Sequence, residues 1–168
     1  MPNWCEGNIR FRGKREDVKR FLMNEIVEVT FSHDDGTIES TPNIEDRGFE
    51  LLITKAKEHS WFYINTTHRN FFETDVIEIW LDDEPEDHKE TIVCVGDFRA
   101  AWSFDKCDAW KEFAKKYNMD VKMVGYERGM LFSQIKTIYR DGIIKDEIKE
   151  FENYNDWMWN ATLPNNGG

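Results

Sequence analysis

The stretch that decides the fold is TIVCVGDF, residues 91–98, which has the strongest strand pattern in the chain. Its Ile-Val-Cys-Val run is rich in β-branched residues, which favour strands, and it ends at Gly96. An amphipathic helix is predicted after Asp105, which can cap its first turn. The apolar stripe of this helix comprises Trp110, Phe113, Ala114 and Tyr117. Alternation at residues 120–127 predicts a further strand, so this half of the chain has the order strand, helix, strand.

The N-terminal half has the same order. Residues 4–12 alternate as a strand does and stop at Gly13, and residues 27–31 resume a β-branched alternation. Between them, apolar side chains recur at helical spacing, namely Val18, Phe21, Leu22 and Ile26. This order predicts an α+β fold, a ferredoxin-like sandwich in which two helices cover one face of an antiparallel sheet.

The length of 168 residues suits a single domain, residues 1–168, with two additions to that sandwich. An inserted acidic, β-rich segment is predicted at residues 55–90, and a C-terminal hairpin is predicted at residues 131–151. Within the insertion, residues 55–64 leave helix and strand both open, because a short apolar run does not distinguish them.

Composition indicates a folded, acidic protein. The formal net charge is −11 and 14% of the residues are aromatic, whereas disordered chains are poor in aromatic residues. No apolar run approaches the roughly 20 residues that span a bilayer, so we expect a cytoplasmic protein with no membrane partner. The cysteines Cys5, Cys94 and Cys107 lack the spacing of zinc or redox motifs and are expected to be buried thiols. We expect no metal and no cofactor.

The acidity is concentrated between Glu73 and Glu90, where nine carboxylates accompany one lysine. A field of one sign attracts basic partners and repels a bare phosphate backbone. We therefore predict a partner-binding surface formed by Glu73, Asp75, Glu78, Asp82, Asp83, Glu84, Glu86 and Asp87. The alternative interpretation is a solvated acidic loop.

Three further segments share a recognisable pattern. They are PNWC at residues 2–5 followed by Asn8, Phe98 with Ala-Trp-Ser at residues 101–103, and Tyr126-Glu127 with Gly129 and Phe132. In this order they resemble a phage- and plasmid-borne family of small ferredoxin-like proteins that begin with PNWC. The family is largely uncharacterised, so the resemblance implies a mobile-element origin and a fold, and it supplies no catalytic residues.

The function favoured by these patterns is counter-defence. Host nucleases keep positively charged channels for their guide and target strands, and an acidic protein could occupy such a channel with carboxylates in place of phosphates. We therefore expect a counter-defence protein in the host cytoplasm, for example an anti-CRISPR inhibitor. Its partner would be a basic protein such as a CRISPR effector nuclease or its guide complex.

Two alternatives use other residues. A metal-assisted nuclease or RNA-cleaving inhibitor would hold a divalent cation at Glu73, Asp75 and Glu78, beside Asp82 and Asp83. No catalytic motif is present, so no catalytic residues are predicted and the sequence favours a protein that is not an enzyme. A phage or plasmid accessory module that binds single-stranded nucleic acid would use Trp61, Tyr63, His68 and Arg69.

Overall fold

A computed structural model describes residues 3–32, 36–67, 69–81, 90–104 and 108–160. These ranges contain helices α1 (Arg15–Glu25), α2 (Asp108–Lys116) and α3 (Tyr154–Asn160). Their strands are, in chain order, β1 (Trp4–Gly13), β2 (Ile26–Ser32), β3 (Gly36–Ser40), β4 (Asn43–Asp46), β5 (Glu50–Thr54), β6 (Ser60–Ile64), β7 (Asn70–Phe72), β8 (Val76–Trp80), β9 (Thr91–Ala101), β10 (Asp120–Glu127), β11 (Phe132–Ile138) and β12 (Ile144–Glu150).

The strands form a large sheet and a small sheet, and all neighbouring strands whose register is resolved are antiparallel. The large sheet has the order β12-β11-β10-β1-β9-β7-β6-β2-β3, and the small sheet has the order β4-β5-β8. The two longest strands, β1 and β9, lie side by side in the large sheet, where Phe11 is opposite Val93 and Trp4 is opposite Ala101. The stretch at residues 91–98 therefore forms a central strand.

The ferredoxin-like sandwich predicted from the sequence is wrong. The structure is 54% strand and 19% helix, and its described residues form a nine-stranded antiparallel sheet with three helices. The main difference arises from β6 and β7, which lie between β9 and β2. Residues that were expected to be added to the sheet therefore supply two strands in its middle. Because β7 has only three residues, it is too short to show a period of two.

The hydrophobic core lies between the large sheet and helices α1 and α2. The ring of Phe21 on α1 contacts the ring of Phe113 on α2 at a centroid distance of 5.6 Å and that of Tyr117 at 5.4 Å. The small sheet adds its own buried side chains to this core, including Leu51 and Ile53. Both helices therefore cover the same face of the large sheet. On the opposite face, the ring of Trp157 on α3 packs against Tyr126 on β10 at a centroid distance of 5.4 Å.

Candidate functional site

The candidate site is the face of the large sheet opposite α1 and α2, which we call the open face. Successive side chains of a strand point to opposite faces, and paired residues in neighbouring strands share a face. On β1, Cys5 and Phe11 are completely buried in the core, so Glu6 belongs to the open face. Its register partner across β9 is Arg99, which in turn is opposite Phe71 on β7.

An aromatic cluster on the open face comprises Trp4, Phe31, Trp61, Tyr63 and Phe71. The ring of Phe71 is its centre, with centroid distances of 5.1 Å to Trp4, 5.4 Å to Trp61 and 5.6 Å to Tyr63. These three rings are partly exposed, while Phe71 is buried among them. Phe31 lies 6.2 Å from Tyr63 and is 59% exposed. The cluster therefore presents ring surface to a ligand while its centre is packed.

The predicted nucleic-acid contacts divide between this cluster and its border. Trp61 and Tyr63 are members of the aromatic cluster. Arg69 is exposed just before β7, and its carbonyl oxygen accepts the N–H of Ala101 at 3.1 Å. Since Ala101 is the register partner of Trp4, Arg69 lies beside the cluster. His68 lies outside the described residues.

The predicted acidic surface is divided in the structure. Glu73 forms an ion pair with Arg99 on the open face, and Asp75 forms one with Lys55 at 2.6 Å. Glu78 belongs to the small sheet, where it accepts the Nε1–H of Trp80 at 2.8 Å. The remaining members lie outside the described residues, namely Asp82, Asp83, Glu84, Glu86 and Asp87. Two of the three described carboxylates thus neutralise cations next to the aromatic cluster.

A cleft of about 770 Å³ borders Trp61 and lies between residues 55–60 and residues 73–75. Residues 55–60 form one wall of the cleft, and the buried carboxylate of Glu28 fixes this wall. Glu28 accepts hydrogen bonds from the N–H of Ala56 at 2.9 Å, the N–H of Lys57 at 2.8 Å and the hydroxyl of Ser60. Burial opposes the ionisation of Glu28, but these hydrogen bonds outweigh it and lower the pKa of the carboxyl. The wall of the cleft is therefore fixed by an ionised group inside the protein.

A second depression on the open face, which we call the basic pocket, has a volume of about 230 Å³. Its lining residues come from β1, β9, β10 and β11 and the ends of these strands, namely Arg10, Arg12, Ile92, Asp120, Lys122, Thr137 and Tyr139. Arg10 is the register partner of Lys122, which is opposite Thr137 on the next strand. Two cationic side chains and a hydroxyl therefore lie in one row across three adjacent strands.

The edge of the basic pocket contains a network of two arginines and two carboxylates. Asp120 accepts hydrogen bonds from Arg12 Nη2 at 2.6 Å and from Arg140 Nε at 3.0 Å. Arg140 Nη1 also donates to Glu90 at 2.6 Å. Burial opposes the ionisation of Asp120, but the hydrogen bonds from Arg140 and Arg12 outweigh it and lower its pKa to about 2. At neutral pH the four charges of this network compensate one another.

The described part of the chain contains no group of three His, Cys, Asp or Glu side chains that could hold a metal ion. Glu127, which belongs to the third of the sequence segments quoted above, is buried at the end of β10. It accepts the backbone N–H groups of Gly129, at 2.7 Å, and Met130. Its geometry is that of a side chain that fixes a turn.

Sequence reasoning missed several members of the open face, including Trp4, Phe71, Arg10 and Lys122. The period of two along β1 would have placed Trp4 and Arg10 on one face, but the N-terminal strand was interpreted only through its core side. The expectation of buried cysteines is wrong for Cys94, which is exposed opposite Arg10, whereas Cys5 is buried. Cys107 lies outside the described residues.

In the described ranges, no helix has the length and apolar character needed to cross a bilayer. Comparison of the chain with protein-family models, with curated proteins and with solved structures gave no match. The resemblance to the PNWC family therefore rests on the sequence segments quoted above, and the function is argued from the open face.

Proposed function

We propose that the chain binds single-stranded nucleic acid on the open face, with bases stacked on the aromatic cluster and phosphates at Arg69 and at the cations of the basic pocket. The observation that carries this proposal is the presence of partly exposed rings and cations on one surface of a protein whose net charge is −11. Every base has a π face, so stacking on such rings gives affinity that depends little on sequence. Cationic contacts to phosphate supply the rest of the affinity.

The local charge of the open face supports this proposal in spite of the acidic total. Arg10 and Lys122 form no ion pair with a described carboxylate, and Lys145 lies in the same register row, opposite Thr137. Charges separated by more than about 8–10 Å are largely screened at physiological salt. A strand on the open face therefore responds to these cations more strongly than to carboxylates elsewhere on the protein.

Binding can be measured by fluorescence anisotropy with labelled DNA and RNA of about ten nucleotides, which is within the usual site size of single-strand binding domains. Removing one stacked ring is expected to weaken binding by about 5- to 150-fold, which corresponds to about 1–3 kcal/mol per base. Phe31→Ala tests this on the cluster. Phe49→Ala is the matched control, because Phe49 is 53% exposed but stacks on Trp80 at the small sheet.

Two results would overturn the proposal. One is the absence of binding at low salt up to about 100 µM protein, the weak end of non-specific affinities. The other is an equal loss of affinity in Phe31→Ala and Phe49→Ala, which would show that the open face is not the binding surface. Duplex DNA of the same sequence serves as a second control, since its paired bases offer no free ring face to the cluster.

Inhibition of a basic host nuclease remains a prediction, and it rests on the net charge and on the acidic segment from Glu73 to Glu90. Its test is reversal of five carboxylates to lysine, followed by a pull-down with the basic nuclease. The reversed residues are Asp82, Asp83, Glu84, Glu86 and Asp87. Unchanged capture of the nuclease would remove this model without affecting nucleic-acid binding on the open face.

A further inference from the structure

We propose that the basic pocket binds a phosphomonoester, supplied by the terminal phosphate of a strand that lies on the open face. This inference rests on the proposed function, and it adds a preference for one kind of strand end. The ligand that we propose for the basic pocket is therefore a small dianion.

The charge of the pocket matches that ligand. Arg12 and Arg140 are compensated by Asp120 and Glu90, at distances of 2.6 Å for Arg12 to Asp120 and 2.6 Å for Arg140 to Glu90. Among the described residues, no carboxylate forms an ion pair with Lys122 or Arg10, so these two side chains supply two positive charges to the pocket. A phosphomonoester carries about −1.5 to −2 at pH 7, whereas an internal phosphodiester carries about −1. The pocket therefore neutralises a terminal phosphate more completely than a phosphate within the strand.

The donors of the pocket are also arranged for a tetrahedral oxyanion. Arg10 donates through Nε to Asn8 Oδ1 at 3.1 Å, which holds one edge of its guanidinium, and its two terminal nitrogens have no hydrogen-bond partner among the described residues. The ammonium of Lys122 and the hydroxyls of Thr137 and Tyr139 line the same cavity. Side chains directly opposite in antiparallel strands have Cβ atoms about 4.5–5.5 Å apart, so donors from adjacent strands can meet on one phosphate.

The size and position of the pocket distinguish a phosphate from a whole nucleotide. Its volume of about 230 Å³ is below the range of about 300–1,000 Å³ for sites that enclose drug-sized molecules. Arg10 lies about 14 Å along β1 from Glu6, at about 3.4 Å per residue. Glu6 is separated from Phe71 by Arg99 of β9. A strand whose end occupies the pocket can therefore reach the aromatic cluster within a few nucleotides.

The test compares one oligonucleotide of about ten nucleotides with 5′-phosphate, 3′-phosphate or hydroxyl ends. We expect one phosphorylated form to bind about tenfold more tightly than the hydroxyl form, because charge-assisted hydrogen bonds are about twice as strong as neutral ones. In Lys122→Gln, the affinity for the preferred phosphorylated form should come within about twofold of the affinity for the hydroxyl form. Lys111→Gln is the matched control, since the side chain of Lys111 on α2 is 45% exposed and lies outside the pocket, so this variant should keep the preference. Circular dichroism and thermal unfolding confirm that each variant is folded.

The outcomes separate this inference from the proposed function. Tight binding of the hydroxyl form with equal affinity for the phosphorylated forms would overturn the phosphomonoester site and leave the open face as a nucleic-acid surface. No binding of any form would overturn the proposed function. A preference that persists in Lys122→Gln would also overturn the pocket. Inorganic phosphate is titrated separately as a competitor, and selective displacement of the phosphorylated form would support the pocket as a site for the phosphate group itself.

Discussion

Replacement of Asp120 by asparagine should destabilise the protein in a way that depends on pH. Asp120 is only 7% exposed and joins the guanidinium groups of Arg12 and Arg140. Asparagine has the same size but removes the negative charge, and its NH2 group would meet the N–H groups of two arginines. Because the pKa falls from an ordinary value of 3.8 to about 2, the ionised carboxylate stabilises the fold by about 2 kcal/mol. We therefore expect Asp120→Asn to cost at least about 2 kcal/mol at pH 7.

The direction of the pH dependence follows from the lowered pKa. The folded protein holds Asp120 ionised more strongly than the unfolded chain does, so the contribution is complete above about pH 4 and is lost as the pH falls towards 2. The difference in unfolding free energy between wild type and Asp120→Asn should therefore shrink over this interval. Other carboxylates titrate in the same range, but they are common to both proteins and cancel in the difference.

Urea unfolding followed by tryptophan fluorescence at a series of pH values measures this difference. At pH 7 the expected loss corresponds to a midpoint of thermal unfolding that is about 4–8 °C lower. Asp108→Asn is the control, because the Asp108 side chain is 93% exposed and its oxygen is 3.6 Å from Lys111 Nζ, so its loss should cost less than about 0.5 kcal/mol. A difference below about 0.5 kcal/mol for Asp120→Asn, or one that is the same at pH 7 and pH 2, would refute the reasoning.

Two further predictions test the register of β1 and the exposure of the open face. Gly7→Ala should cost about 3 kcal/mol, because its Cβ would lie 1.9 Å from the carbonyl oxygen of Val124. Gly96→Ala, where a Cβ has nothing within 4 Å, should change stability by less than about 1 kcal/mol in urea unfolding, and equal losses would contradict the register. Cys94 is exposed, whereas Cys5 is buried and can react only when the protein unfolds. Cys94 should therefore be alkylated in the folded protein at least about 100-fold faster than Cys5. Peptide mapping measures both rates, and similar rates would contradict the placement of Cys94 on the open face.

The strands and helices with a long, clear period were predictable from the sequence. The helix predicted between the strands at residues 4–12 and 27–31 is α1 at Arg15–Glu25, and the strand predicted at residues 120–127 is β10 at Asp120–Glu127. In both cases the apolar positions face a core, so the local sequence shows the period of the helix or the strand. β7 is different, since only three residues form it and its place between β6 and β9 depends on pairing with distant residues. The local sequence cannot supply that information.

The members of the aromatic cluster could likewise be predicted only in part from the local sequence. Trp61 and Tyr63 alternate with core residues and were identified as candidate contacts from their local aromatic richness. Trp4 and Phe71 join them only because β1, β9, β7 and β6 are adjacent in the sheet. Phe62, equally aromatic in the sequence, is completely buried on the opposite face. Composition singled out the aromatic segment, and the pairing of strands decides which of its rings lie on the open face.

The net charge of the chain does not describe the charge of the open face. The total of −11 describes the whole chain, whereas a bound strand responds to charges within about one Debye length. On the open face, Glu73 and Glu6 are paired with Arg99, while Arg10 and Lys122 lie together in the basic pocket. Among the described residues, Arg10 and Lys122 form no ion pair with a carboxylate. An acidic protein can therefore carry a surface for phosphate, provided that the carboxylates beside its unpaired cations are themselves paired with other cations.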